Sequence, residues 1–422
     1  MSIFDEMKGD RMRIVIIGAG IVGVSTALWL LRDGHSVTLV DREGPASGTS
    51  YGNAGVLASN SIVPVTQPGL IKKAPRMALD PREPLFLKWG YLPRLLPWLV
   101  KYLRHANQQA NERIASALVG VVGDSLNEHL MLARGTPAAR HIQSCDYVYA
   151  YDDRKHFKKD AFAWRLRKTH GFDWEEREGD AYDAYDTALA GRFGFGVRCP
   201  EHGRITDPGQ YVKDLAAAVE AEGGEIRIAE VQDIVCENGK VVGVQTTETI
   251  PCDAAVITTG AWSWTLCAKL GFKVPLESER GYHMEFWEPS IMPTSPTMIA
   301  ARKFVLTPME GRLRAAGIVE FGGLKAGPSA APFKLLEENV KAALPGLTYK
   351  EKTTWMGHRP ATSDSIPVIG EIPGAKGAFT GFGHHHIGLT AGPKTGRLLA
   401  QMISGRKPNL DVSVYSPTRF SS

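Results

Sequence analysis

The chain has 422 residues, of which 43% are hydrophobic and 22% charged, with a formal net charge of +4. That length allows two or three domains around a large core, and the composition excludes a long disordered part. The small charge, without a long Lys/Arg run, points to no nucleic-acid partner, and no uninterrupted apolar stretch has transmembrane length. The five cysteines (Cys145, Cys199, Cys236, Cys252 and Cys267) are odd in number, with no C-x-x-C and no zinc spacing. Reduced, mostly buried thiols and a cytoplasmic protein are therefore expected, in keeping with the lack of an opening secretory signal.

Residues 1–10 form a short polar lead, expected to fray. From Arg13 a β-branched run leads into Gly18-x-Gly20-x-x-Gly23, a helical pattern follows until Gly34, and a second apolar run ends at Asp41. This is the dinucleotide-binding fingerprint in its strand–turn–helix–strand setting. Gly18 permits the tight turn, Gly20 lets the backbone approach a pyrophosphate, and Gly23 lets the helix pack on the strand. Ala19, Ile21 and Val22 complete the turn, where free N–H groups and the positive end of the helix dipole face the phosphates. Asp41 is placed to accept ribose hydroxyls and would repel a 2′-phosphate, so NADP is disfavoured. Arg42, next in the chain, is also expected to bind the cofactor. The loop Gly44 to Gly55 is small and glycine-rich, and its Ser50, Asn53, Ala54 and Gly55 are expected to wrap a cofactor closely.

Residues 84–105 are apolar, aromatic and basic. They suit contact with a membrane surface or a helix packed on a neighbouring domain, and packing is preferred because apolar helical stripes are most often core. Helical patterns run through 106–135, a strand through 144–151, a basic helix through 156–170 and a clean helix through 211–222. A strand starts at Glu225, and 231–244 reads as a hairpin turning at Asn238-Gly239. The run from Cys252 to Thr259 is a buried strand ending at Gly260-Ala261-Trp262-Ser263. Residues 276–288, 297–307 and 313–321 alternate as antiparallel strands, 333–344 is helical, and 377–404 is a strand, a glycine–histidine turn and a helix.

Together these pieces resemble the D-amino-acid oxidase superfamily of FAD-dependent amine oxidoreductases, nearest to bacterial D-amino-acid dehydrogenases and hydroxyproline-dehydrogenase-like proteins. The motif extends from Gly18 to Gly34 in the two-domain flavoprotein pattern, and Ser47 to Gly55 resembles the loop that passes the flavin. Thr258 to Ser263 resembles the second cofactor segment. Gly357-His358-Arg359-Pro360 through Asp364, with Pro367 to Gly370, matches the family signature, and Gly383 to Thr390 looks like its flavin-facing turn. The resemblance implies an α/β fold: a Rossmann-like FAD-binding domain with an interleaved α+β substrate domain on an antiparallel sheet. The FAD-binding parts would be 1–83, 201–274 and 351–422, and the substrate parts 84–200 and 275–350. It adds Val231, Thr259, Gly260 and Trp262 to the cofactor residues. Some relatives link FAD through a cysteine near the signature; Gly357 stands there and no cysteine follows Cys267, so noncovalent FAD is expected.

Such enzymes pass the Cα hydride of an amino acid to flavin, while the protein positions and polarises. Arg359 is the expected carboxylate clamp, since its planar fork can bind bidentately. Tyr282 is expected to give the carboxylate a second hydrogen bond. His385 and His386 are expected at the flavin face, tuning the amine or the reduced flavin. Consecutive side chains do not converge on one ion, so His384 to His386 are not expected to bind metal. Gly388, Leu389 and Thr390 should offer N–H groups at a helix N-terminus to developing negative charge, with Pro393 in the first turn. The expected substrate is a D-amino acid or a cyclic or secondary amino acid, the acceptor quinone or oxygen, and contact with the inner face of the membrane would run through 84–105. A glycine- or sarcosine-type oxidase, a non-catalytic flavoprotein-like assembly factor and an NAD-dependent dehydrogenase are the alternatives.

Overall fold

The computed structural model describes residues 11–420; the polar lead at 1–10 lies outside them. The β-branched run becomes strand Arg13–Ile17, which pairs in parallel with Ser36–Asp41 on one side and Ala254–Ile257 on the other. It lies inside a six-stranded sheet whose order is Val368–Glu371, Ala378–Phe382, Ala254–Ile257, Arg13–Ile17, Ser36–Asp41, Glu225–Ile228. Strand alternation sorts its side chains. Ile14, Ile16, Leu39 and Val256 face helices Ile21–Arg32, Pro208–Ala221 and Gly388–Ile403. Val15, Ile17, Val40 and Ile257 face a three-stranded antiparallel layer carrying Ile234, Val241 and Val244. Its hairpin turns where expected, with Asn238 and Gly239 at φ 50° and 75°.

A second, ten-stranded sheet is mostly antiparallel. Its edge is a ribbon of two twelve-residue strands, Leu276–Trp287 and Glu351–Thr362. Helix Ala330–Ala343 covers one face of this sheet around Tyr282, Met284 and Phe286. The mixed architecture is the expected one, but two segments sit elsewhere than the expected boundaries. Glu351–Thr362 belongs to the ten-stranded sheet, because its whole length is zipped to Leu276–Trp287. Helices Gln108–Val122 and Ser125–Ala133 pack into the core of the dinucleotide-binding side, where Ile114, Leu118, Val121 and Leu132 are buried. All five cysteines are free, and Cys199, Cys252 and Cys267 are buried.

A buried charge cluster joins those helices to the last one. Glu128 is fully buried, with Lys394 Nζ at 3.1 Å and Arg397 Nε at 3.0 Å, and Lys394 also reaches Asp124 at 2.7 Å. The last helix begins at Gly388, earlier than expected, so Pro393 falls in its second turn. There it cannot donate to the carbonyl of Leu389. His129 Nε2 donates to that carbonyl instead at 2.9 Å, while its Nδ1 takes the Tyr211 hydroxyl at 2.8 Å. Burial holds this imidazole neutral, its pKa depressed to about 4. A single histidine thus repairs the helix and ties it to Pro208–Ala221.

Removing one partner of a buried ion cluster costs about 3–5 kcal/mol, because the others stay charged and dry. Glu128→Ala should accordingly lower stability by about 3 kcal/mol in urea denaturation. A loss below about 1 kcal/mol, the value of an exposed pair, would contradict this reading of the joint.

Candidate active site

The first half of the site is the glycine turn. Gly18 sits at φ +107°, and a side chain there would meet the Thr258 carbonyl at 2.7 Å. A Cβ on Gly23 would lie 1.9 Å from the Gly18 carbonyl, so the helix approaches the strand as closely as glycine permits. The Ile21 N–H donates to Ser50 Oγ at 3.0 Å, which docks the flanking loop on the helix N-terminus. Asp41 does more than the sequence suggested. Its Oδ2 accepts the Ala19 N–H at 2.8 Å and its Oδ1 those of Glu43 and Gly44 at 2.9 Å. With about four lone-pair directions on a carboxylate, the turn takes most of its capacity.

A cavity of about 640 Å³ opens along this turn. Of the expected cofactor residues, Gly18, Ala19, Gly20, Ile21, Val22, Asp41, Arg42, Ser50, Asn53, Val231, Thr259, Gly260, Trp262, Gly388 and Leu389 line it, as does His385. The Arg42 guanidinium lies over the Trp262 ring at 4.4 Å. Gly23 stands behind the turn. Ala54, Gly55 and Thr390 do not line the cavity. Ala54 packs in the aromatic core, the Gly55 carbonyl accepts the Ile205 N–H, and the Thr390 hydroxyl donates to Val56 O at 3.1 Å. The volume, the open helix N-terminus and the side-chain-free Gly20 fit an extended dinucleotide such as FAD.

The second half is one face of the ribbon. Its register sets Glu279 opposite Arg359, Gly281 opposite Gly357, and His283 opposite Trp355. The paired glycines leave room for their neighbours. A Cβ on Gly281 would strike the Arg359 guanidinium at 2.5 Å, and one on Gly357 the Trp355 ring at 1.9 Å. Arg359 Nη1 bonds Glu279 Oε1 at 3.0 Å. The His283 ring stacks on Trp355 at 5.1 Å, and Tyr51 packs against both. Burial pushes the Glu279 carboxyl up, but its pKa still lies below the usual value, and the Arg359 guanidinium beside it is the largest cause of that lowering. Arg359 itself does not line the cavity, although its neighbours His358 and Pro360 do.

Tyr282 is the main correction. Lying one residue out of phase with Glu279 and His283, it points to the opposite face, is 1% exposed and belongs to the core under helix Ala330–Ala343. Its hydroxyl donates to Glu320 at 2.7 Å and accepts the Ser329 N–H at 3.1 Å, so it has nothing to offer a ligand in this cavity. Glu279, His283 and Trp355 are the residues sequence reasoning passed over. The period-two pattern of 276–288 held the signal, since any strand pairing that directs Arg359 inward directs odd-numbered residues with it.

The histidine turn closes the site. Buried His384 lies 2.9 Å from Thr395 Oγ1, and desolvation depresses its pKa to about 3. His385 takes the left-handed conformation at φ 50°, lies 3.1 Å from Thr362 O, and brings Nδ1 to 4.0 Å from Glu279 Oε2. Burial lowers its pKa despite that carboxylate. His386 is the exposed member of the three and does not line the cavity. The arrangement thus sets one guanidinium–carboxylate pair and an uncharged imidazole beside a dinucleotide groove.

Residues 13–402 match the family described as FAD dependent oxidoreductase. A D-amino-acid oxidase of Bradyrhizobium diazoefficiens is 40% identical over 419 residues, covering 97% of this chain and 99% of the relative. A D-amino acid dehydrogenase of the same organism is 30% identical, with 97% and 99% coverage. The crystal structure of glycine oxidase from Geobacillus kaustophilus shares the fold with a TM-score of 0.74 at 21% identity, covering 97% of this chain and 99% of that one. The dinucleotide turn, the groove and these matches along nearly the whole chain agree: the protein belongs to the DAO family of FAD-dependent oxidoreductases.

Proposed function

We propose that this FAD-dependent oxidoreductase oxidises D-α-amino acids, with Arg359 as the carboxylate clamp. The observation that carries the reading is the guanidinium laid over Gly281 and fixed by Glu279 beside the cofactor groove. One terminal nitrogen is engaged by Glu279, and the fork's other donors can take a carboxylate bidentately. FAD, when bound, supplies the two-electron acceptor for the Cα hydride, so that an amine becomes an imine that water hydrolyses to a 2-oxo acid and ammonia. The protein's own share is placement. Tyr51, His283 and Trp355 form an aromatic wall next to the clamp. Uncharged His385 can accept a hydrogen bond from an amine without repelling it. The N-terminus of helix Gly388–Ile403 favours negative charge at its end of the groove. Names of the relatives, an oxidase and a dehydrogenase of D-amino acids, support the substrate class.

We infer noncovalent FAD, since Gly357 stands at the signature and Cys267 is the last cysteine. We also infer an acceptor at the cytoplasmic face of the membrane. Among the described residues no helix is long and apolar enough to cross one. Helix Leu92–Leu103 buries Leu95, Trp98 and Tyr102, so the expected packing is there, yet it leaves Leu96 and Val100 50% and 45% exposed. Exposed Arg94, Lys101 and Arg104 flank them, which suits an anionic bilayer surface. The 40% identity to an oxidase favours the second reading, oxygen as acceptor.

Anaerobic D-alanine should bleach the flavin absorption of the holoenzyme and L-alanine should not; bleaching by neither D-amino acids nor glycine would remove the reading. Admitting air afterwards separates the acceptors: slow return of colour supports a dehydrogenase and return within a turnover supports an oxidase. Arg359→Ala should weaken kcat/KM for D-alanine by about 2–4 kcal/mol equivalent, chiefly through KM. Unchanged kinetics would refute the clamp. Replacing Leu96 and Val100 together by Glu should release the protein from phosphatidylglycerol vesicles in co-sedimentation without changing turnover, and equal sedimentation would end the membrane proposal.

A further inference from the structure

We propose that Glu279 is a specificity-determining residue: by balancing Arg359 it admits amino acids that carry their own cation and turns away plain carboxylates. This rests on the Arg359 reading and adds to it a selection by charge type. Glu279 is 4% exposed and lies 3.0 Å from the guanidinium, so the pair is electrically neutral before any ligand arrives. The other arginines of this sheet region are balanced as well. Arg312 and Arg314 converge on Glu285, Arg312 also meets Asp207, and Arg280 meets Glu320. The imidazoles nearby, His283, His385 and His386, have pKa values pushed below the usual imidazole range and stay uncharged.

No spare positive charge therefore waits for a substrate. A monocarboxylate docking on Arg359 would leave one net negative charge in a buried site, which low-dielectric surroundings disfavour. A zwitterion brings its ammonium with the carboxylate and leaves the balance at zero, with Glu279 available as the ammonium's counter-charge. The same ledger acts after oxidation. The 2-oxo acid has lost the nitrogen and keeps only the negative charge, so the site that held the amino acid disfavours its product. A role confined to holding Arg359 in place would make no such distinction, because a glutamine amide oxygen can accept the same hydrogen bond without the charge.

The test compares two ligands on flavin-loaded protein: propanoate, followed by its flavin difference spectrum, and D-alanine, by anaerobic rapid mixing. Glu279→Gln should bind propanoate about tenfold more tightly and D-alanine about tenfold more weakly, a crossing on the scale of one buried charge contact. Glu279→Asp should restore the wild-type order. Both affinities moving together in Glu279→Gln, or a ratio unchanged within about threefold, would overturn the proposal. Should the glutamine variant fail to hold flavin, the wild type decides, since D-alanine must bind at least about tenfold more tightly than propanoate and the reverse order refutes selection by charge. Arg359→Gln keeps the two readings apart: loss of both ligands upholds the clamp whatever Glu279 does, and retention of both removes the clamp itself.

Discussion

The register between strands Leu276–Trp287 and Glu351–Thr362 is the constraint on which the site depends. It sets Glu279 against Arg359 and, two residues along, Gly281 against Gly357. Neither contact survives a slip. A shift of one residue would turn Arg359 away from Glu279 and toward the core beneath helix Ala330–Ala343. Such a slip is opposed on both faces. Tyr282, Met284 and Phe286 are buried on one side, and on the other the paired glycines fit only the side chains that lie over them. Packing on the face away from the chemistry thus holds the chemistry in place.

The dinucleotide side is likewise held by side chains that tie its loops to the glycine turn. Asp41 stitches the loop after its strand to the glycine turn before any ligand is considered. Ser50 docks the next loop onto the helix N-terminus. At the far end, His129 fills the hydrogen-bond gap left by Pro393, so the helix that begins at the groove stays continuous. The Leu389 carbonyl, which Pro393 leaves without a backbone donor, is satisfied by His129.

Much of this was legible in the sequence, because the signals were local. Gly18, Gly20, Gly23 and Asp41 lie within one βαβ unit, where turn geometry and spacing speak directly, and the Asn238-Gly239 hairpin is a two-residue signal. The face of a strand is harder to read. Whether Tyr282 or Glu279 meets the ligand depends on a partner strand some eighty residues away, and Tyr282 has the more suggestive chemistry. The helices at 108–133 pack on the dinucleotide-binding side and not in the expected substrate part for a related reason, since an amphipathic pattern shows that a helix packs and not what it packs on. Propensity alone sets Pro393 in a first turn, because it does not foresee that His129, distant in sequence, supplies the missing donor.

In the proposed function one half-buried guanidinium, oriented by Glu279 over a glycine gap, receives the substrate carboxylate. A crystal structure of the FAD-loaded protein with a bound amino-acid analogue tests it most directly. The analogue's carboxylate should lie on the free edge of the Arg359 guanidinium and its ammonium on the side of Glu279. A carboxylate held by any other group, with Arg359 and Glu279 still closed on each other alone, would contradict it.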